Sequence, residues 1–269
     1  MRKILAMAAA VMALAACARE PKLVIVHVND THSHVEPVRS GKYEGRGGVI
    51  ERAAIVDSLL DKYGKDRVLL LHAGDFSQGT SYFPTLEGKL EPKMLNAFGY
   101  DCITIGNHEF DNDIEALCDR LAMLDGPVVT CANIDMSQFE ISKYIAPYRI
   151  VEKAGMKIGI IGVTSNLSSN VSATISSRIP QLDNVEVINK WAEVLENDEK
   201  CDMIILLSHL GYKEDQAVIP QVHHIDLVVG GHSHTFVDDF IYVADADGME
   251  VPIIQAGCWG EELGEIKVW

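Results

Sequence analysis

A single layered α/β domain is what this sequence predicts, and three observations predict it. Short β-branched apolar runs alternate with stretches whose apolar residues recur at helical spacing. Five of the apolar runs end in residues of metal-ligand type. The 269 residues are 48% apolar, enough for one large buried core and too apolar for a disordered chain.

The elements follow in order. Leu23 to Val28 reads as a buried strand, Val49 to Leu60 as an amphipathic helix and Val68 to Leu71 as a second strand. A short helix at Met94 to Phe98 precedes a third strand at Cys102 to Ile105. Ile114 to Leu124 is helical in pattern, and so is Val185 to Leu195. Further strands are expected at Val128 to Thr130, Lys157 to Gly162, Met203 to Leu207, Leu227 to Val229 and Ile253 to Ile254. Leu263 to Trp269 reads as the last strand.

The polar residues at the strand ends carry the chemistry. The first strand runs into Asn29-Asp30-Thr31-His32, the second into Gly74-Asp75 and the third into Gly106-Asn107-His108-Glu109. The 203–207 strand runs into Ser208-His209, and the 227–229 strand into Gly230-Gly231-His232-Ser233-His234. In open α/β sheets, sites form in the crevice beyond the strand ends. Asp, Asn and His in that position suit divalent Zn, Mn, Fe or Co. The set Asp30, His32, Asp75, Asn107, His209, His232 and His234 is large enough for two ions, a pairing suited to phosphoester hydrolysis. Asp75 is the candidate bridging carboxylate.

The motifs "NDTHSH", "HAGDFSQGT", "TIGNHEFD", "LSHLG" and "GGHSH", in that order, resemble the calcineurin-like metallophosphoesterase superfamily. Within it they are most similar to the metal-binding domain of the bacterial 5'-nucleotidases and 2',3'-cyclic-nucleotide phosphodiesterases, from about Leu23 to the C-terminus. The resemblance implies a four-layer α/β/β/α sandwich with the site at the strand ends between two sheets. It implies that Asp30, His32, Asp75 and His234 hold one metal, and Asp75, Asn107, His209 and His232 the other. It also implies catalytic roles for His108, which would contact the phosphate, and for Asp111, which would orient the His108 ring and favour the imidazolium. The implied reaction is hydrolysis of a phosphate ester by an activated water attacking in line.

Other polar residues have plainer readings. His27 and His72 lie in or at strands and read as structural, and His34 as structural or as support for the first motif. His223 and His224 read as solvent-facing, and Glu109 as support for its loop. Glu196 to Lys200 and Asp238-Asp239 read as solvated surface. Arg39, Arg46 and Arg52 lie near the first motif; Arg46 reads as an exposed loop residue or as one that reaches a substrate, and Tyr82 and Phe83 as core or rim packing or as a wall of the site.

Residues 1–17 have the form of an export signal: Arg2 and Lys3, an apolar run to Ala16, then Leu14-Ala15-Ala16-Cys17, which resembles a bacterial lipobox. Cys17 is therefore expected to carry a lipid anchor, residues 18–22 to form a short linker, and residues 23–269 the catalytic domain, held at the cell envelope in the periplasm or on the surface. Five further cysteines, Cys102, Cys118, Cys131, Cys201 and Cys258, show no CxxC spacing and leave one or two disulfides open. The formal charge of −16 argues against a nucleic-acid polymer as partner and leaves an anionic small molecule dependent on bound cations.

The resembled 5'-nucleotidases carry a second domain that stacks on the nucleobase, and no such domain is expected here. Three readings follow: a stand-alone phosphatase or phosphodiesterase acting on a phosphorylated small molecule such as a nucleotide, one half of a split nucleotidase completed by a separate C-terminal nucleotidase domain chain, or a non-catalytic metal-binding surface lipoprotein. His108 and Asp111 speak against the last, because metal binding alone requires neither.

Overall fold

The computed structural model describes residues 20–126 and 128–269. The expected export signal, the lipidation at Cys17 and the first linker residues lie outside the described residues. No helix among the described residues is long and apolar enough to cross a membrane.

Twelve strands form two six-stranded sheets. The first contains β1 (Leu23–Val28), β2 (Val68–His72), β3 (Cys102–Thr104), β4 (Val128–Thr130) and β5 (Ile145–Ala146), all parallel, with β12 (Gly264–Val268) antiparallel beside β1. The second has the order β10-β11-β9-β8-β7-β6, from β6 (Tyr148–Lys153), β7 (Met156–Thr164), β8 (Met203–His209), β9 (Leu227–Gly230), β10 (Ile241–Ala244) and β11 (Glu250–Gln255). Within it β7, β8, β9 and β11 are parallel, and β6 and β10 are antiparallel edges.

Side-chain alternation stacks the layers. Along β1, Leu23 and Ile25 face the second sheet while Val24, Val26 and Val28 face outward. Along β8, Ile205 and Leu207 face inward while Ile204 and Leu206 face outward. Leu69, Leu71, Ile158, Ile160 and Val229 complete the dry inter-sheet layer. Both faces of each central strand are thus apolar, which is why these strands read as continuous runs rather than alternating ones.

Helices cover the outer faces. On the first sheet lie α1 (Val49–Tyr63), α2 (Tyr82–Leu86), α3 (Leu90–Phe98) and α4 (Asp113–Leu121). In α1 the buried side chains Arg52, Val56 and Tyr63 share one face with Leu59 and Leu60. The helix α3 starts four residues earlier than its apolar pattern implies; Pro92 sits in its first turn, where an amide hydrogen has no intrahelical partner to lose. Two short helices, α5 (Leu167–Asn170) and α6 (Ala173–Ser176), follow β7. On the second sheet, α7 (Asn184–Glu193) is capped by Asp183, whose carboxylate accepts from the Glu186 amide at 2.9 Å. It buries Val187, Ile188 and Ala192, and α8 (Tyr212–Val218) buries Val218 beside them. The order of layers is α/β/β/α.

The sheets approach closely at Gly162 of β7. A Cβ there would lie 2.3 Å from the Thr130 carbonyl oxygen of β4, and the Gly162 carbonyl accepts from the Ala132 amide at 2.7 Å. Gly162→Ala therefore forces the sheets apart at backbone rather than side-chain contacts. The expected loss is about 1–3 kcal/mol, or a fall in Tm of roughly 3–10 °C for a domain of this size. An unchanged melting temperature would show that the sheet spacing is not limited at this point.

Candidate metal centre

Parallel strands deliver their C-terminal ends to one edge of the sandwich. β1, β2 and β3 lie side by side in the first sheet, β8 and β9 in the second. Asp30, His32, Asp75 and Asn107 leave the first sheet, and His209, His232 and His234 the second. The crossing is tight. A Cβ on Gly106 would lie 2.1 Å from the Asp75 carboxylate, and one on Gly231 would lie 2.5 Å from the Ala73 carbonyl and 2.9 Å from the His209 ring. Only glycine lets the strand ends approach this closely.

The backbone here is strained. Asp30, His32, Asp75, His232 and His234 all have φ between 47° and 72°. Left-handed backbone is uncommon for residues other than glycine, and five cases among seven candidate ligands mark a functional site.

The donor atoms are divided between support and centre. Asp30 Oδ2 accepts from the Asn29 side-chain amide at 2.7 Å and from the His232 amide at 2.9 Å. Its Oδ1 is buried without a hydrogen-bond partner, 3.3 Å from His234 Nε2, 3.8 Å from His32 Nε2 and 3.9 Å from His209 Nε2. Asp75 Oδ1 accepts from the His108 amide at 2.9 Å, while Oδ2 lies 3.0 Å from His209 Nε2 and 3.9 Å from His32 Nε2. The imidazoles follow the same rule. His209 Nδ1 meets the Ala73 carbonyl at 2.6 Å and His32 Nδ1 meets the Ser77 carbonyl at 3.3 Å. A carbonyl only accepts, so each Nδ1 carries a proton and each Nε2 is turned inward, where it can give its lone pair to a cation in place of a second proton. His32 Nε2 and His234 Nε2 face each other at 3.0 Å.

Two clusters result, Asp30-His32-His234 and Asp75-His209-His232, the ligand-type atoms of each lying within 4.8 Å of one another. Asp75 Oδ2 sits between them, close to a ring of each. Asn107 is buried beside them and its Oδ1 accepts from Ser165 Oγ at 3.3 Å. A buried oxygen without a partner, inward-turned imidazole nitrogens and two carboxylates are the donor set that divalent cations fit.

Electrostatics agree. Burial lowers the His209 pKa, but Asp75 and Asp30 outweigh it and hold the ring protonated to about 10. The Asp30 carboxylate 3.3 Å away, aided by Cys258, raises His234 to about 10 as well. Burial pushes the Asp75 carboxyl up, yet His209, His32 and His108 hold it well below the usual carboxylate range. Burial lowers His32 and His232, with Asp75 and Asp30 opposing. Two enclosed negative charges draw in positive charge, and protons supply it where no cation does.

Beside the clusters, His108 Nδ1 lies 2.8 Å from Asp111 Oδ2, and this contact raises the His108 pKa. His108 stays partly exposed at the mouth, its ring 5.3 Å from that of His32. Glu109 is buried beneath: Oε2 accepts from the Asp75 and Gly106 amides at 2.9 and 2.7 Å, and Oε1 from the Ser77 amide at 3.0 Å. Burial and the charge of Asp75 push its pKa up to about 7, against those amide donors.

The remaining candidates separate as follows. His27 is buried in β1 against Gly264, and burial lowers it to about 4. His72 Nε2 lies 3.1 Å from Thr31 Oγ1. His34 stacks on Trp259, and burial, then His32 and Arg52, lower its pKa to about 4. His223 reaches Asp247 at 2.8 Å near the surface. Arg39 and Arg46 pair with Glu36 and Glu262 on the exterior, Arg52 is buried under α1, and Phe83 is in the core. The five described cysteines are all free.

Sequence reasoning gave no role to Asn29 or to the 255–260 segment. Asn29 ties the first motif to that segment: its amide donates to the Gly257 carbonyl at 2.6 Å and its oxygen accepts from the Ala256 amide at 2.9 Å. The Trp259 amide donates to the Asp30 carbonyl at 2.6 Å. The available signal was the glycine spacing of Gly257-Cys258-Trp259-Gly260, whose residues 257, 259 and 260 all have φ near 60°.

Residues 23–236 match the calcineurin-like phosphoesterase family. The chain is 36% identical to a snake venom 5'-nucleotidase of Gloydius brevicauda, over 95% of this chain and 46% of that protein. It is 33% identical to the 5'-nucleotidase of Bos taurus, over 93% of this chain and 47% of the other. In structure it resembles a 5'-nucleotidase precursor from Thermus thermophilus, with a TM-score of 0.83 and 33% identity, over 90% of this chain and 50% of that one. The NAD nucleotidase of Haemophilus influenzae superposes with a TM-score of 0.80 at 29% identity, over 90% of this chain and 46% of that one. The chain spans about half the length of the curated relatives it matches. Five strand-end motifs, a four-layer sandwich and a match that begins at β1 and reaches past His234 place this chain in the calcineurin-like phosphoesterase family.

Proposed function

We propose that the chain hydrolyses phosphate esters, nucleotides among them, at a dinuclear divalent-metal centre. The two ligand clusters that meet at Asp75 Oδ2 carry this reading. Asp30, His32 and His234 would hold one cation, Asn107, His209 and His232 the other, and Asp75 would bridge them. Bound, the pair would supply a water of lowered pKa and neutralise charge on the phosphoryl group.

The chain's own residues do the rest. Asn29 and the His232 amide hold the Asp30 carboxylate in one orientation, and the His108 amide does the same for Asp75. The Ala73 and Ser77 carbonyls fix the His209 and His32 tautomers. His108, whose imidazolium form Asp111 favours, would donate from Nε2 to a phosphoryl oxygen and stabilise the charge that develops as the ester bond breaks. The names of the relatives support a nucleotide substrate. The export-signal form of residues 1–17 supports lipid anchoring at the cell envelope.

The deciding assay measures hydrolysis of p-nitrophenyl phosphate, bis-p-nitrophenyl phosphate, AMP and 2',3'-cyclic AMP with Mn or Zn added. Turnover of at least one ester, abolished by chelation and restored by metal, is expected. Bound metal with no turnover of any would favour a metal-binding surface protein instead.

Asp75→Ala should lose metal and activity together. Its metal affinity should fall by more than the roughly 10–100-fold typical of an outer-sphere partner, as read by elemental analysis; an active variant with two ions sinks the bridging role. His108→Ala should keep its metal while kcat falls by about 10²–10³-fold; loss of metal would make His108 a ligand.

A raised pKa in the folded protein means that the protonated form persists to higher pH, so the His108 contribution is lost only as pH rises through that value. Asp111→Asn removes the carboxylate responsible. The alkaline limb of kcat/KM should move to lower pH with metal content unchanged; a limb that stays in place would assign it to another group.

A further inference from the structure

Beside the metal centre lies a cavity of about 360 Å³ that the chemistry above does not use. Its lining includes His34, Glu36, Arg39, Thr80, Tyr82 and Trp259. The His34 and Trp259 rings are stacked, with centroids 4.9 Å apart and planes at 20°. Tyr82 donates its hydroxyl hydrogen to Glu36 at 3.3 Å, which holds the phenol at the rim. Three of its lining residues are tied to the first motif by hydrogen bonds. The Trp259 amide donates to the Asp30 carbonyl, the His34 amide to the Thr31 carbonyl at 2.9 Å, and Thr80 Oγ1 to the Ser33 carbonyl at 2.7 Å.

Trp259 is unusual in two independent respects. It has φ +57°, a left-handed backbone that a bulky side chain disfavours. It also leaves 37% of its surface exposed, although an indole is among the side chains that gain most from burial. Strain and exposure both argue against a packing role, and strained residues cluster where a ligand is held. The cavity has the volume of a small-molecule site, with an aromatic wall and polar side chains beside it.

We propose that Trp259, stacked on His34 and flanked by Tyr82, is a subsite for the planar ring of the substrate's alcohol half, a nucleobase where the ester is a nucleotide. The subsite deepens the phosphoesterase reading and rests on it for the position of the phosphate. The chain then carries its own element of specificity, built from the loops after β1 and β2 and the loop before β12. Stacking on an aromatic side chain tolerates any base, because each has a π-face, so the subsite selects ring-bearing esters without reading one base.

The test has two readings. The Trp191→Phe/Trp269→Phe variant leaves Trp259 as the one tryptophan of three. Adenosine, which lacks a phosphate, should quench its fluorescence saturably; no quenching overturns the subsite. Steady-state kinetics then compares AMP with ribose 5-phosphate. Trp259→Gly, chosen because glycine relieves the left-handed strain, should lower the ratio of their kcat/KM values roughly tenfold, as expected for loss of one stacking contact. Trp269→Ala, an exposed residue outside the cavity, should leave the ratio unchanged. An unchanged ratio in a folded, metal-loaded Trp259→Gly protein overturns the proposal. Absence of turnover of both esters by the wild type would instead overturn the phosphoesterase reading, and the adenosine titration would still decide the subsite.

Discussion

Two aspartates, Asp30 and Asp75, are sealed in one small space with their inward oxygens directed at the same imidazoles. Buried charges of like sign repel strongly where water does not screen them. The fold tolerates the pair because amide donors satisfy one oxygen of each and histidines face the other. Positive charge must occupy the remaining space, as protons on His209 and His234 or as cations. The same demand would reconcile a chain of net charge −16 with the anionic substrate proposed for it. Surface charge is screened over about 8–10 Å, so the local charge of the centre, not the average of the surface, decides what binds there.

Beneath the aspartates, Glu109 holds the loops in register. Its two oxygens accept from amides of the Asp75, Ser77 and Gly106 segments, which leave two different strands. A carboxylate is the side chain that accepts on both oxygens at once; an amide of the same shape would turn a donor toward one of these N–H groups. Arg120 of α4 reaches the Glu109 carbonyl from below, which connects the helix layer to the loop floor. A position read from sequence as loop support thus proves to join two motifs through one buried group.

The centre was legible in the sequence because its residue types are rare at strand ends and recur in order along the chain. The central strands were legible because both of their faces are apolar. What escaped depends on contacts between distant segments or on weak patterns. β5, β6 and β10 are short or half-exposed edges whose apolar residues are diluted by polar ones, so periodicity marks them poorly. Asn29 looks like an ordinary turn residue until Gly257 and Ala256, more than 200 positions away, are seen on its amide. Tyr82 read as packing or as a wall of the site, and Trp259 carried no reading, because a stacked pair between residues 34 and 259 has no local signature.

The proposed chemistry and the proposed recognition occupy different parts of the framework. The candidate ligands sit at the ends of buried parallel strands, where two sheets and the Glu109 carboxylate fix their geometry. The Trp259 cavity is formed by loops that leave those same ends, one step further from the core. Loops of this kind change with little effect on the core, whereas strand ends do not. Because the Trp259 amide is bonded to the Asp30 carbonyl, a ring held against the indole would lie at a distance from the centre set by one backbone hydrogen bond. Such coupling would make binding of a substrate's ring contribute to placing its phosphate, the route by which contacts remote from the reacting bond accelerate its cleavage.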